Sequence, residues 1–243
     1  MRIITAANER YFGPITPYLN SLSLHSRFPV NLVCVGDRML NYPGVTSVNL
    51  PRSLNRGAPH ETESPQHGAW LQVIDGDPGE VCIFTDGDII MQRPFTDAEL
   101  DYLADLDEDT VACGYNSGPG EMLTDEARRL FPRVELSALA RVFGPIDTIP
   151  CYNIGVIAAR RSVFQRIYNE YMSWWDLASD AFGHPARQQW LVCWVMHELG
   201  LVVDITPYSL HANGHYGMPP GCRYGHDNLL YAGDELVLFR HKL

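Results

Sequence analysis

Apolar and polar positions along the chain predict short strands separated by helices. Apolar runs rich in strand-forming residues are typical of buried strands. Such runs occupy residues 2–6, 30–35, 45–50, 80–85, 88–92, 110–114, 151–158, 201–205 and 235–240. Because helical patterns lie between them, they predict an α/β layered fold with a mainly parallel sheet.

The helices are predicted from apolar spacing and from residues that begin or end helices. Thr96 and Glu99 have the spacing of a capping box, which begins a helix. Pro185 and Gly200 are residue types that begin and end one. The predicted helices cover about 14–25, a segment after Thr96, 161–178 and 185–199, and a further one starts near Gln66.

The most informative segment is an apolar run that ends in two carboxylates. Asp86 and Asp88 follow the run 80–85, and a second apolar run comes directly after them. Residues i and i+2 of an extended chain lie on the same side, roughly 6–7 Å apart. Both carboxylates can therefore face one divalent cation that also binds phosphate oxygens. Gly87 between them leaves room for a ligand near the backbone.

Three other Asp-x-Asp triplets show how weak this pattern is by itself. They are Asp75/Asp77, Asp105/Asp107 and Asp107/Asp109. The first lies among Gly and Pro and is typical of a surface turn, and the others have the pattern of a solvated loop. Only Asp86 and Asp88 lie between two apolar runs, so a metal role and a plain strand-end turn both remain open for them.

Composition limits the class of protein. The 243 residues, 46% of them hydrophobic, fit one large domain over 1–243 with a substantial core. No apolar stretch reaches the roughly 18 residues of a membrane span, and the N-terminus has no room for a signal peptide. A net charge of −11 argues against a broad nucleic-acid surface. The six cysteines form no C-x-x-C pair, which predicts reduced thiols in a cytoplasmic protein.

Five short motifs occur in a definite order along the chain. They are a loop after the first strand, the acidic pair, an Asn-x-Gly strand, a glutamine pair at a helix start and a terminal His-Lys pair. Their residues are Ala6, Asn8 and Tyr11; Asp86, Gly87 and Asp88; Asn153 and Gly155; Gln188 and Gln189; and His241 and Lys242. Over nearly the whole chain, this order resembles that of GT-A type glycosyltransferases, above all the glycogenin and galactosyltransferase-like group, family 8.

The resemblance implies a GT-A, Rossmann-like nucleotide-binding domain with a mixed, mainly parallel sheet flanked by helices. Its expected reaction moves a sugar from a nucleotide sugar, UDP-linked, to a glycan, peptide or small-molecule acceptor with retention of configuration. Asp86, Asp88 and His241 would hold Mn²⁺ or Mg²⁺, and the nitrogen ligand favours Mn²⁺. The metal would stabilise the leaving diphosphate as a Lewis acid.

The resemblance also assigns contacts to the donor and to the reacting sugar. Ala6, Asn8, Tyr11, Asp37, Asp86, Gly87 and Lys242 would bind the nucleotide diphosphate, and Asn153, Gln188 and Gln189 would lie near the sugar. Each also has a plain structural interpretation. Asn8 can be a loop polar group, Tyr11 a core aromatic and Asp37 part of a turn, while Asn153 can satisfy backbone groups. His241 and Lys242 can be an ordinary chain end.

Two departures from the family pattern affect these expectations. Gln188 stands where the family has Asp, and the chain stops at Leu243, before the family's Lys-Pro-Trp loop. The phosphate contacts of that loop would then be lost, or Lys242 would supply them alone. A neutral amide cannot be a strong nucleophile, which fits retention guided by the leaving group on the same face. An inverting enzyme needs a carboxylate base. Glu121, Asp147 and Asp180 are candidates without a spacing argument.

Three alternatives stay open. A sugar-phosphate nucleotidyltransferase shares the fold and the metal, but residues 6–10 lack its glycine-rich loop. A non-catalytic nucleotide-sugar binder of the same fold is compatible with Gln188. A separate zinc site at His211 and His215 is disfavoured because the glycines and prolines around them exclude a helix. The segment is better interpreted as a loop that contacts acceptor or donor, and residues 117–120 as another loop near the sugar.

Overall fold

The computed structural model of the protein describes residues 1–51, 76–182, 188–214 and 217–241, without the side chains of Ser179 and Gln188. The predicted helix near Gln66 and the phosphate contact of Lys242 lie outside these residues. The strands are β1 (Arg2–Asn8), β2 (Val30–Val35), β3 (Val45–Leu50), β4 (Val81–Thr85), β5 (Ile89–Met91), β6 (Thr110–Tyr115), β7 (Tyr152–Arg160), β8 (Val202–Ile205), β9 (His211–Asn213), β10 (Cys222–Tyr224), β11 (Leu230–Ala232), β12 (Glu235–Leu236) and β13 (Phe239–His241).

Six helices and one 3-10 turn connect the strands of the described residues. The turn is Glu9–Tyr11, and the helices are α1 (Phe12–His25), α2 (Asp97–Ala104), α3 (Leu123–Leu130), α4 (Leu136–Phe143), α5 (Arg161–Phe182) and α6 (Gln188–Glu198). The capping box at Thr96 and Glu99 is present and begins α2. The sequence did not predict α3 and α4, and the first helix begins at Phe12 rather than near residue 14.

The main sheet has seven strands in the order β3-β2-β1-β4-β7-β6-β8. Its pairs are parallel except those that β7 makes with β4 and β6, which are antiparallel. Six strands therefore run in one direction and one runs against them. The predicted mixed, mainly parallel sheet flanked by helices is confirmed.

Hydrophobic residues on the two faces of this sheet form two large core clusters. Ile4 and Ala6 of β1 face the cluster that holds α5 and α6, while Ile3 and Ala7 face the cluster that holds α1. This alternation is the period of two that a strand imposes on its side chains. Helices consequently cover both faces of the sheet, and ligands of such sheets bind beyond the carboxyl ends of the strands.

Two three-stranded sheets complete the described part of the fold: β10-β11-β12, and β5-β13-β9, which joins the end of the chain to the strand that follows the acidic pair. The predicted strand over 235–240 is divided into β12 and β13. Between them, the backbone of Leu238 bonds to Ser209 and Gln92, and the Gln92 amide donates to the Val237 carbonyl. These contacts turn the chain into a new sheet, where β13 is parallel to β9 and antiparallel to β5.

The carboxyl ends of the parallel strands meet at one edge of the main sheet. The register pairs Asn8 of β1 with Val35 of β2, and Ile4 of β1 with Phe84 of β4. The last residues of β1 and β2 therefore lie side by side, and β4 ends in the same direction but about three residues earlier, next to Thr5 of β1. Because β7 runs the other way, its first residues lie at the same edge, next to the end of β6. In the part of the chain that is described, none of the helices is both long and apolar enough to cross a membrane.

Candidate metal centre and sugar site

The acidic pair lies at the end of β4 in a turn that leads into β5. The backbone N–H of Asp86 donates to the Gly155 carbonyl at 2.8 Å, which fixes it against β7. Asp86 is only 8% exposed, whereas the side chain of Asp88 is 41% exposed. Asp86 is thus held within the protein, and Asp88 faces solvent at the edge of the sheet.

His241 comes to this pair from the far end of the chain. Antiparallel pairing of β13 with β5 places His241 opposite Ile89, one residue after Asp88. Its Nε2 atom lies 3.3 Å from Oδ1 of Asp88 and 3.6 Å from Oδ2 of Asp86. One ligand atom from each of the three residues lies within 4.8 Å of the other two. The structure therefore brings together the three residues that the sequence nominated as metal ligands.

Gly155 of the Asn-x-Gly strand makes room for His241. A Cβ atom at this position would lie 2.5 Å from Cε1 of His241 and 2.9 Å from Oδ1 of Asn153. Oδ1 of Asn153 in turn accepts the Gly155 N–H at 2.9 Å. The motif that looked like a donor contact in the sequence also has a packing role, since it lets the imidazole sit directly on β7.

The three side chains have the chemistry of a cation site. Ligands next to each other around one ion at about 2.1 Å are about 3 Å apart, close to the distances between these atoms. His241 is 3% exposed, and neither of its ring nitrogens makes a hydrogen bond within the described residues. A buried imidazole nitrogen that faces two carboxylates suits a divalent metal with mixed oxygen and nitrogen ligands.

His211 lies behind His241 and was not expected there. The two rings stack with centroids 5.8 Å apart and an angle of 26° between their planes. Burial lowers the pKa of His211 well below its usual value, and His241 lowers it further. The prediction of a loop at His211 is wrong, because β9 begins there and pairs with β13. His215 of the disfavoured zinc site lies outside the described residues.

A buried polar cluster lies beside this centre, between β6, α3 and α6. Arg129 forms ion pairs with both Glu121 and Glu126. The Asn116 amide donates to Glu121 at 3.3 Å and to Glu126 at 3.1 Å. Nε2 of Gln189, at the start of α6, donates to Oε1 of Glu126 at 3.3 Å. Gln189 is thus anchored to a carboxylate that the sequence did not single out.

Of the three candidates for an inverting base, Glu121 is occupied by its neighbours. Its Oε2 accepts from the backbone N–H of Ser117 at 2.8 Å and from the hydroxyl of the same residue at 2.6 Å. Its Oε1 accepts from Asn116 and Arg129. These bonds hold the carboxylate in place and use both of its oxygens, which leaves it poorly placed to accept a proton from an acceptor hydroxyl. Asp147 and Asp180 are exposed.

The residues nominated for the nucleotide lie along the edge where β1 and β2 end. Asn8 caps the 3-10 turn by accepting from the N–H of Arg10 at 3.1 Å. Tyr11 is exposed rather than a core aromatic, and Asp37 is exposed just after Gly36. Ala6 is fully buried in the core, so only its backbone is open to a ligand. Gly87 is buried in the turn between the two aspartates.

Comparisons with known proteins match the fold. Neither models of protein families nor curated protein sequences give a match. Among solved structures, the galactosyltransferase LgtC, in complex with donor and acceptor sugar analogues, has a TM-score of 0.62 at 13% identity and covers 99% of this chain and 86% of its own. Mouse xyloside xylosyltransferase 1 has a TM-score of 0.53 at 10% identity, with 99% and 96% covered. The bifunctional glycosyltransferase WbbM has a TM-score of 0.56 at 15% identity, with 88% and 40% covered.

These similarities show that the chain has the GT-A fold of glycosyltransferases. The fold predicted from the order of the motifs is therefore confirmed. At 10–15% identity, the comparisons establish the fold alone. The activity has to be argued from the residues of the site.

Proposed function

We propose that this protein is a metal-dependent glycosyltransferase that uses a nucleotide sugar, UDP-linked, as donor. The observation that carries the proposal is the cluster of Asp86, Asp88 and His241 at the strand ends of a GT-A fold. Ligands of such sheets bind outside the carboxyl ends of the strands. The cluster lies at that edge, and its nitrogen ligand is buried without another hydrogen-bond partner in the described chain.

Each ligand residue has a distinct part in holding the ion. Asp86 and His241 are buried. The backbone bond to Gly155 holds Asp86 and the pairing of β13 with β5 holds His241, so their positions are set before a ligand arrives. Asp88 is exposed and lies where it can meet a ligand from solvent. The bound Mn²⁺ or Mg²⁺ would supply Lewis-acid stabilisation of the leaving diphosphate.

The rest of the donor would lie along the ends of β1 and β2. The exposed ring of Tyr11 can stack on the base, and Asp37 and Asn8 offer polar groups to the base and ribose. Lys242 follows His241 directly in the sequence, which makes it our candidate for a phosphate contact. The acceptor would be a glycan, a peptide or a small molecule. We further propose that 1–243 acts as one domain in the cytoplasm, in keeping with six free thiols.

We propose transfer with retention of configuration. The bond between the anomeric carbon and the diphosphate oxygen breaks, a bond to the acceptor oxygen forms on the same face, and the acceptor's proton passes to the diphosphate. Gln188 and Gln189 are neutral and weak nucleophiles, so a covalent sugar intermediate on them is disfavoured. The engagement of Glu121 with Arg129, Asn116 and Ser117 likewise disfavours it as an inverting base.

A donor panel tests the proposal directly. Purified protein is incubated with nucleotide sugars and Mn²⁺, and release of the nucleoside diphosphate is measured with and without EDTA. We expect release from a UDP-sugar that EDTA abolishes, and a loss of at least about 100-fold in Asp88→Asn. Asp107→Asn removes an exposed carboxylate of another Asp-x-Asp triplet and serves as the control.

The panel also separates the alternatives. Metal-dependent binding of UDP without turnover of any donor would identify a non-catalytic binder. Release of pyrophosphate from a nucleoside triphosphate and a sugar phosphate would identify a nucleotidyltransferase instead. Full activity in EDTA would contradict the metal site.

A further inference from the structure

Glu121 and Glu126, beside the proposed sugar site, form a buried charged cluster that has no role in the proposed reaction. Glu126 is 1% exposed and Glu121 is 9% exposed, and both belong to or adjoin α3. A buried carboxylate is costly unless it is paired and hydrogen-bonded. Both are ion-paired to Arg129, whose guanidinium fills the place that a metal would need.

Glu126 uses its two oxygens on opposite sides. Oε2 accepts from Asn116 and pairs with Arg129, which ties the carboxylate to the end of β6 and to its own helix. Oε1 accepts from Nε2 of Gln189 at 3.3 Å. An ionised carboxylate only accepts hydrogen bonds, so it selects the NH₂ side of the amide and leaves the carbonyl oxygen Oε1 of Gln189 for another partner.

A continuous set of hydrogen bonds links this cluster to the metal centre. The backbone carbonyl of Asn116 accepts from Nδ2 of Asn213 at 3.0 Å. Asn213 is the partner of His241 in the pairing of β9 with β13. The orientation of Gln189 is therefore tied to the same framework that carries the metal ligand His241.

We propose that Glu126 is a positioning residue, which fixes the side-chain amide of Gln189 so that its carbonyl oxygen faces the transferred sugar. This inference rests on the proposed glycosyltransferase function. Arg129 and Asn116 hold Glu126 in place and favour its ionised form against the effect of burial. Gln189 then presents a neutral acceptor to a sugar hydroxyl or to the sugar face that becomes electron-poor in the reaction.

The charges around Glu126 predict that its contact with Gln189 depends on pH. The charged and titratable groups that face it are Glu121, Arg129 and Cys151. One guanidinium serves two carboxylates. Burial raises the pKa of Glu126, Arg129 lowers it, and the charge of Glu121 raises it again. As the pH falls through this raised pKa, Glu126 is protonated and the Gln189 amide loses its charged acceptor.

The first test measures the contact between Glu126 and Gln189 directly and does not depend on activity. The side-chain amide resonances of Gln189 are assigned in ¹⁵N-labelled protein by their absence in Gln189→Met, and their pH titration is recorded. We expect a titration above the ordinary range of glutamate, and its loss in Glu126→Gln. Resonances that titrate identically in the wild-type protein and Glu126→Gln would overturn the contact, whatever the protein's activity.

The second test measures whether this contact matters for catalysis. In Glu126→Gln we expect kcat to fall roughly 10- to 100-fold, with the donor KM unchanged within a factor of about two. Glu126→Asp keeps the charge beside Arg129 but withdraws the oxygen from Gln189, and we expect the same loss from a well-folded protein. Glu135→Gln, an exposed residue just before α4, is the matched control.

The outcomes separate this inference from the proposed function. Wild-type kcat in folded Glu126→Gln and Glu126→Asp would overturn the positioning role while the glycosyltransferase stands. A rise in donor KM with kcat unchanged would also overturn it, since it would indicate a donor-binding role. A wild-type protein that turns over no donor would overturn both the function and the positioning role in catalysis, and the resonances would still decide whether Glu126 holds the amide.

Discussion

Gly155 shows how one absent side chain permits the metal centre. A methyl group in Gly155→Ala would meet the His241 ring at 2.5 Å, and that ring is buried between β7 and His211. We expect about 1–3 kcal/mol of destabilisation from overpacking. We also expect weaker Mn²⁺ binding in isothermal titration calorimetry, because the imidazole must leave the two aspartates. Gly79→Ala, where the methyl has only an ordinary contact with Asp77, should change neither.

A negative charge at position 189 should repel the carboxylate of Glu126. In Gln189→Glu, two carboxyl groups would replace the 3.3 Å hydrogen bond to Glu126. We expect the free energy of unfolding at pH 8 to fall by about 1–3 kcal/mol. The mutual repulsion raises the pKa of the pair, so this loss should shrink as the pH is lowered through that raised value.

Urea unfolding at several pH values measures this effect. Gln165→Glu introduces the same charge on an exposed surface of α5 and is the control. A Gln189→Glu protein as stable as the wild type at every pH would show that Gln189 does not lie against Glu126.

At the scale of residues, the sequence predicts ligands better than the groups that support them. Asp86 and Asp88 stand out because an apolar run on each side fixes their direction. Glu126 does not, because a glutamate in a helix among arginines is typical of a solvated face. Its burial depends on contacts with Asn116 and Gln189, which are distant in the sequence. Long-range packing of this kind has no local signal.

Among the elements, β13 combines a structural and a chemical role that can be separated. Phe239 is fully buried, and its pairing with β5 and β9 docks the strand. In His241→Ala the backbone bonds remain, including the one from Gly214 N–H to the His241 carbonyl at 3.0 Å. We expect this variant to keep the wild-type Tm within about 3 °C and to lose at least about tenfold in Mn²⁺ affinity.

Deleting residues 241–243 should have the same effect on the metal and a further cost in stability. The deletion removes the His241 carbonyl bond together with the side chain, and it removes Lys242. Calorimetry of Mn²⁺ and UDP binding compares the two variants. If either binds both ligands as tightly as the full chain does, the terminal strand supplies no ligand to the donor site.

Strands and helices could be predicted where apolar residues followed a clear local pattern. The buried strand β4 is an apolar run up to its last residue, β2 is apolar except for Asn31, and α5 has apolar residues at helical spacing. The short helices α3 and α4 were missed because each has only eight residues and, unlike α2, neither has a Ser or Thr at its N-cap. The division of 235–240 was missed because the bonds from Gln92 and Ser209 that cause it come from other parts of the chain.

At the scale of the whole molecule, strand order is the property that the local pattern leaves open. Alternating strands and helices predict a layered sheet, but β7 is inserted antiparallel between β4 and β6. This insertion brings the first residues of β7 to the edge where β4 ends. Asn153 and Gly155 can then lie beside Asp86. The resemblance to GT-A enzymes predicted a mixed sheet, but neither it nor the local pattern identified β7 as the antiparallel strand.

Because the proposed site joins two distant parts of the chain, its ligands should stabilise the molecule as a whole. Asp86 and Asp88 follow β4, and His241 ends β13, so the intact site exists only in the folded protein. A ligand that binds the native state alone at 100 times its Kd adds about 2.7 kcal/mol to the free energy of unfolding. For a chain of this size, that corresponds to a rise in Tm of roughly 5–10 °C.

We therefore expect UDP and Mn²⁺ together to raise the Tm in a thermal-shift measurement by more than the sum of their separate effects. The excess arises because the metal and the diphosphate coordinate each other, so each raises the affinity for the other. UDP in EDTA should give little shift, and Asp88→Asn should lose the excess while Asp107→Asn keeps it. Equal shifts with and without the metal would place the nucleotide away from Asp86 and Asp88, and the donor site would have to be sought elsewhere in the fold.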